Sequence, residues 1–155
     1  MGSFFTAVSH QLQKEKIILK SNTMKGGIAV SLMRELLKEE IAEYPFGSQE
    51  GLGFNAKCIA HFFVAAAHWF ISEMEVDGDD VIMFGYADLN LGPGCAEFGY
   101  MSLNELESLR TPFGKVGLDL NQEEKTIREL CEEYGLEYDD FYSNRNDYGI
   151  EEDEL

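Results

Sequence analysis

Hydrophobic positions recur along this chain at two periods, and the switch between them lays out the elements. From Ile28 to Tyr44, Leu32, Leu36 and Ile41, with Met33 and Leu37 beside them, repeat near helical spacing and leave Arg34, Glu35, Lys38 and Glu39 outward. The pattern predicts an amphipathic helix ended by Pro45, then a loop through Gly47-Ser48-Gln49-Glu50-Gly51. Ala56 to Phe63 and His68 to Met74 are instead rich in aromatic and branched residues, and read as a hairpin across Val64 to Ala67. A helix through Ala65-Ala66-Ala67 is the competing reading. In the hairpin register Phe62 faces Trp69, Cys58 faces Glu73 and His61 lies opposite Phe70, so His61 and His68 share a face.

Asp77-Gly78-Asp79-Asp80 is a turn, after which Val81 to Ala87 and Cys95 to Met101 form a second hairpin. Its strands carry the triplets Phe84-Gly85-Tyr86 and Phe98-Gly99-Tyr100. A register centred on Gly92 sets Gly85 opposite Gly99, and on the reverse face Phe84 opposite Tyr100 and Tyr86 opposite Phe98. One face becomes an aromatic ladder, the other a notch with room for a packed helix or a ligand, the helix being the expected occupant. Ser102-Leu103-Asn104-Glu105 reads as a capping box opening a short helix to about Leu109, with Glu105 and Glu107 as helix-start residues. Lys115 to Leu120 is an extended connection. Asn121 with Glu124 repeats the capping logic before the apolar stripe Ile127, Leu130, Cys131 and Tyr134, and Gly135 supplies the stop.

The expected fold is therefore α+β: a four-stranded antiparallel meander flanked by amphipathic helices, with an acidic C-terminal helix and tail. Residues 1–23 read as an N-terminal extension, 24–135 as a single domain, and 136–155 as an acidic, aromatic-containing C-terminal segment.

Charge changes this picture more than composition does. The formal net charge is −17, which opposes direct binding to nucleic acid or anionic lipid and makes a basic surface the natural partner. Between Glu39 and Glu107 the only Lys or Arg is Lys57. No run approaches the ~18 apolar residues of a membrane span, and no secretory leader is evident, so a cytoplasmic location is expected. Cys58, Cys95 and Cys131, odd in number and widely spaced, suit a reducing compartment.

Candidate chemistry is sparse. His61 and His68 lie diagonally on one sheet face, within reach of a common ion such as zinc if a third ligand joins them; otherwise they are partly buried sheet histidines. Carboxylate pairs such as Asp79 with Asp80 or Glu73 with Glu75 carry little information in so acidic a chain. No phosphate-cradling glycine loop and no nucleophile motif is present, so no catalytic residue or cofactor is expected.

Ala60-His61-Phe62-Phe63, Trp69-Phe70-Ile71-Ser72-Glu73, Phe84-Gly85-Tyr86 and the run from Glu97 to Ser108, EFGYMSLNELES, together resemble a bacterial domain-of-unknown-function family. Its signature is aromatic-Gly-Tyr, an acidic residue, then Gly-Tyr-aromatic-Ser-Leu-x-Glu-Leu, and the resemblance runs from about Gly47 to Asp119. The family's Arg-Asp-Leu step is Leu118-Asp119-Leu120 here, so no Arg–Asp pairing carries over. The resemblance implies a plasmid or prophage context and no particular reaction.

Charge supplies the functional expectation. A rigid acidic surface can occupy a basic nucleic-acid groove, with aromatic residues standing in for stacked bases. The expected function is that of a non-enzymatic inhibitor from a mobile element, a DNA mimic of anti-CRISPR type acting on a host nuclease. Glu132, Glu133, Glu137, Asp139, Asp140 and Asp147, with Tyr138 and Tyr142, are the expected partner-binding residues. The alternatives are a metal-binding protein or metal-dependent enzyme using His61 and His68, and an acidic accessory or structural protein.

Overall fold

The N-terminal periodicity yields two short helices in place of one. In the structure, a computed structural model that describes residues 31–138, α1 (Leu32–Leu36) and α2 (Lys38–Glu43) meet at Leu37, which leaves helical dihedrals (φ −100°, ψ 11°) while its side chain stays buried. Residues 28–30, the expected helix start, lie outside the described residues. The Ser31 hydroxyl accepts from the Arg34 N–H, and the Glu107 carboxylate accepts from the Met33 N–H at 2.9 Å. Glu107 thus serves a helix start far from its own, placing negative charge at the positive end of α1.

β1 (Ala60–Val64), β2 (Ala67–Asp77), β3 (Asp80–Asp88) and β4 (Glu97–Ser102) form the expected antiparallel meander. Phe62 pairs with Trp69, His61 with Phe70, Gly85 with Gly99, Phe84 with Tyr100 and Tyr86 with Phe98. Ala65, at φ +50°, closes the first hairpin so tightly that Val64 and Ala67 already pair. After β4 come α3 (Leu103–Ser108) and a small ribbon of β5 (Arg110–Thr111) and β6 (Gly114–Lys115).

The sheet has a fifth strand. β7 (Gly117–Leu118), expected as part of a connection, pairs antiparallel with β1, giving the order β4-β3-β2-β1-β7. It covers hydrogen-bonding groups that β1 would otherwise present at an open edge, and the Asp119 N–H extends the contact to the His61 carbonyl at 2.9 Å.

Two further expectations are corrected. Cys58 does not face Glu73: it precedes β1, and its N–H donates to the Lys125 carbonyl. The β2–β3 register shifts between Ile71 and Glu73, leaving Ser72 as the inserted residue of a bulge. Opposite that bulge the glycine notch receives backbone and not a helix. A Cβ on Gly85 would stand 2.1 Å from the Phe70 carbonyl oxygen and 2.8 Å from the Ile71 Cα, whereas one on Gly99 would meet nothing within 4 Å.

Each sheet face carries its own core. Phe62, Trp69, Ile71 and Met83 pack with Leu37, Leu103 and Leu106 on one side. Phe70, Tyr86, Phe54 and Cys58 pack with Ile127, Leu130 and Cys131 of α4 (Ile127–Glu133) on the other. The α4 cap is not Asn121 with Glu124. Asn121 is drawn into a local turn on the Asp119 carboxylate, and a complete capping box forms at Thr126 with Glu129. Gly135, at φ +65°, ends the helix with bonds from its N–H to Glu132 and from the Leu136 N–H to Cys131, a Schellman arrangement.

At α3 the Ser102 hydroxyl accepts from the Glu105 N–H at 3.2 Å, and the carboxylate that supports this helix start is that of Asp80 and not of Glu105. Its carboxylate accepts from the Ser102 hydroxyl and from the N–H groups of Asn104 and Val81. Burial opposes its ionisation, yet these bonds outweigh the opposition and hold its carboxyl below the ordinary value.

The two triplet glycines should respond oppositely to a methyl group. Gly85→Ala is expected to cost more than about 3 kcal/mol because the backbone at Phe70 has to move. Gly99→Ala is expected to stay within about 0.5 kcal/mol. Urea unfolding of the two variants reads the difference directly, and equal midpoints would show that the bulge tolerates a side chain.

Candidate functional site

On the second face α4 leaves one end of the sheet to a loop. The short 3-10 turn Gly53–Asn55 drives Phe54 between Tyr86 and Phe98, with ring centroids 4.9 Å from each. The chain leading to it, after Pro45, arches over the bulge in β2 and encloses a cleft of about 440 Å³. Phe46, Gln49, Glu73, Phe84, Phe98 and Tyr100 form much of its lining. Phe84 and Phe98 lie nearly parallel (17°) with centroids 5.9 Å apart, Phe84 and Tyr100 are 5.0 Å apart, and Phe46 meets Tyr100 edge-on at 5.5 Å. The aromatic ladder expected from the sequence is thus one surface of a cavity.

Gln49 fixes the loop over that surface. Its amide donates to the Lys57 and Ser72 carbonyls at 2.8 and 2.9 Å, and its oxygen accepts from the Lys57 N–H at 2.7 Å. Its own backbone N–H donates to the Glu73 carboxylate at 2.7 Å. Glu73 is only 7% exposed, and among the described residues that N–H is its hydrogen-bond partner and no cation pairs with it. The cleft lining includes a second carboxylate, Glu50, and no Lys or Arg. An anionic group beside flat aromatic surfaces, in a negative chain, suits a cation.

The histidines meet as the register predicted. His61 Nε2 and His68 Nδ1 are 2.8 Å apart, so one ring donates and the other accepts. Burial pushes His61 down to about 4, the neighbouring His68 adds to the effect, and Asp119 opposes it. Burial lowers His68 as well, against the pull of Asp88. At neutral pH both rings are uncharged. The Asp119 carboxylate stands 3.7 Å from His61 Nδ1, too far for a hydrogen bond. As placed, the two facing nitrogens are engaged with each other and not open to a shared zinc, and no group of three metal-ligating side chains gathers among the described residues. The Cys58 and Cys131 thiols, pushed up to about 12 chiefly by burial, are protonated.

Of the expected partner-binding residues, Glu132, Glu133, Glu137 and Tyr138 come together at the end of α4. Glu132 accepts from the Tyr138 hydroxyl and Glu133 from Lys125, each at 2.7 Å. The Tyr138 ring leans on Phe54 at 5.5 Å with the Arg128 guanidinium over it, while the Tyr86 hydroxyl donates to the Glu137 carbonyl at 2.9 Å. Asp139, Asp140, Tyr142 and Asp147 lie outside the described residues. Sequence reasoning missed the cleft. Its one signal was Glu73 itself, an acid inside the apolar run from Trp69 to Met74.

The histidine pair should make stability pH-dependent. The unfolded chain protonates His61 near its ordinary value of 6.5, whereas the folded protein resists until about 4. Between those limits the unfolded state binds more protons, so stability falls as pH is lowered through the interval. Urea midpoints measured from pH 7 to 4 should decline, and His61→Phe should flatten the decline. An unchanged slope in the variant would place its source elsewhere.

No helix among the described residues is long and apolar enough to cross a membrane. No curated protein and no solved structure matches the chain. A family model does match, over residues 32–128, from α1 through the sheet into α4, and it spans more than half of the sequence. By that match the chain belongs to the family described as "Protein of unknown function (DUF2958)".

Proposed function

We propose that this protein is a non-enzymatic acidic inhibitor, encoded on a mobile genetic element, that binds a basic surface of a nucleic-acid-processing host defence protein in the bacterial cytoplasm. A CRISPR effector nuclease is the partner type that fits best, because its nucleic-acid channel is a continuous basic groove. The observation that carries this reading is the imbalance of charge, 29 acidic against 12 basic residues, combined with where the basic side chains go. Lys57 reaches Glu124 at 3.3 Å, Lys125 reaches Glu133 at 2.7 Å, and Arg34 donates to the Gly78 carbonyl at 3.3 Å. Arg128 lies over Tyr138 and donates to Asn55. These contacts occupy four of the cations, and exposed carboxylates such as Glu75, Asp77, Asp79, Glu97, Glu105 and Glu137 outnumber the exposed Lys38, Arg110 and Lys115 in setting the outward field.

Steering between opposite fields gives fast association, while fixed carboxylates replace phosphates in the groove. The Tyr86 bond to the Glu137 carbonyl holds the start of the acidic C-terminal segment against the core, so Glu132, Glu133, Glu137 and Tyr138 are presented on a fixed surface.

Inhibition of target cleavage by a purified effector nuclease, measured over a salt series, tests the proposal. Affinity should fall steeply with salt. The combined Glu132→Gln, Glu133→Gln, Asp139→Asn and Asp140→Asn variant should bind about tenfold or more weakly, each charge contributing up to about 1 kcal/mol. Salt-independent binding, or full affinity in the neutralised variant, would remove mimicry as the mechanism.

A further inference from the structure

We propose that the aromatic cleft is a receptor for one arginine side chain of the basic partner, its guanidinium lying on Phe84 and Phe98 and donating to Glu73; the identity of the donor rests on the function proposed above. Three observations converge on this. Glu73 is nine-tenths buried, lines the cleft, and has no cationic partner among the described residues. A carboxylate in a cleft gains most from a donor that is itself charged, because such hydrogen bonds are roughly twice as strong as neutral ones. The flanking surface is aromatic on several sides, with the Phe84 and Phe98 rings nearly parallel, Tyr100 5.0 Å from Phe84 and Phe46 edge-on to Tyr100. The lining has carboxylates and no basic residue, and the whole chain is strongly negative, so the phosphates of a nucleotide are repelled where a cation is drawn in.

The geometry favours guanidinium over ammonium. A guanidinium is planar, stacks on aromatic faces, donates from its edge while stacked, and is weakly hydrated, so it enters a cleft of mixed aromatic and acidic lining at lower desolvation cost than lysine. Gln49 has its side-chain amide and its backbone N–H bonded already. It shapes the site and holds Glu73 in place; it is a positioning residue. The Gln49 N–H bond to Glu73 also supplies a reporter, since any ligand on that carboxylate perturbs the Gln49 amide resonance.

The test titrates the full isotope-labelled chain with Nα-acetyl-arginine methylamide, its lysine counterpart and its neutral citrulline counterpart. The arginine derivative should give saturable shifts at Gln49, Glu73 and Phe84 with a dissociation constant on the order of millimolar. The lysine compound should bind several-fold more weakly, and citrulline should give no saturation. Glu73→Gln keeps an acceptor for the Gln49 N–H and should weaken binding about tenfold. Tyr100→Ala, at a position 71% exposed, should also weaken it. No saturation with arginine, or equal response to citrulline, overturns the cleft assignment and leaves the inhibitor reading standing on its own salt and neutralisation data. Saturation only in an Arg145→Gln chain would assign the cleft to the protein's own arginine. If the derivative binds but Glu73→Gln inhibits the nuclease with full potency, the occupant is a free cation and not a partner side chain.

Discussion

The arrangement of the second sheet face depends on one inserted residue in β2. Along a strand, alternate side chains point to alternate faces, so without an interruption Ile71 and Glu73 would share a side and the carboxylate would enter the core packed under α3. The bulge at Ser72 reverses the alternation. It returns Met74 to the first core beside Met83 and turns Glu73 to the face that carries Phe70. Gly85 makes this possible, since any side chain there would collide with the Phe70 carbonyl. The glycine of the Phe84-Gly85-Tyr86 triplet is therefore a requirement imposed by the neighbouring strand, whereas that of Phe98-Gly99-Tyr100 is not.

Once Glu73 is on the second face, the loop after α2 has to accommodate it. A buried carboxylate left without donors is unstable, and the loop answers with the Gln49 backbone N–H while the Gln49 side chain ties the same loop to Lys57 and Ser72. The Met74 N–H bond to the Tyr44 carbonyl fixes the loop's start to β2, and Phe54 wedged against Tyr86 and Phe98 fixes its end. The loop that covers the cleft is thus anchored at both of its ends. Such anchoring keeps the aromatic walls apart without a ligand between them, which is the usual condition of a pre-formed site.

Both hairpins were legible in the sequence because a turn of defined length fixes a register, and the register then places every side chain. The pairing of Phe84 with Tyr100 and the meeting of His61 with His68 both follow from that rule. Features set by distant partners were not legible. The break at Leu37 follows no local signal, since Leu favours helix. β7 is two residues long, and its strand character comes from the open edge of β1. Asn121 with Glu124 looks like a capping box as well as Thr126 with Glu129 does; tertiary context chose the second, through the pairing of Thr126 with Lys57. The candidate site was hidden for a different reason: Glu73 interrupts an apolar run, but in a chain with 29 acids that is a weak signal, and only the bulge, itself invisible in the alternation, turns it into the cleft.

The family match and the acidic C-terminal end divide along the same line. The matched segment, residues 32–128, contains the bulge, Gly85, Gln49, Glu73 and all the cleft aromatics, whereas Glu132, Glu133 and Glu137 fall beyond it. An acidic surface is set by many interchangeable carboxylates and can drift in sequence while keeping its field. A cleft built from a bulge, a facing glycine and one buried acid cannot drift in this way, because each part is the steric or electrostatic condition of the next. Long-range attraction to a basic partner is accordingly spread over the exterior. Discrimination among the side chains such a partner presents is concentrated where the Phe-Gly-Tyr strands meet Glu73.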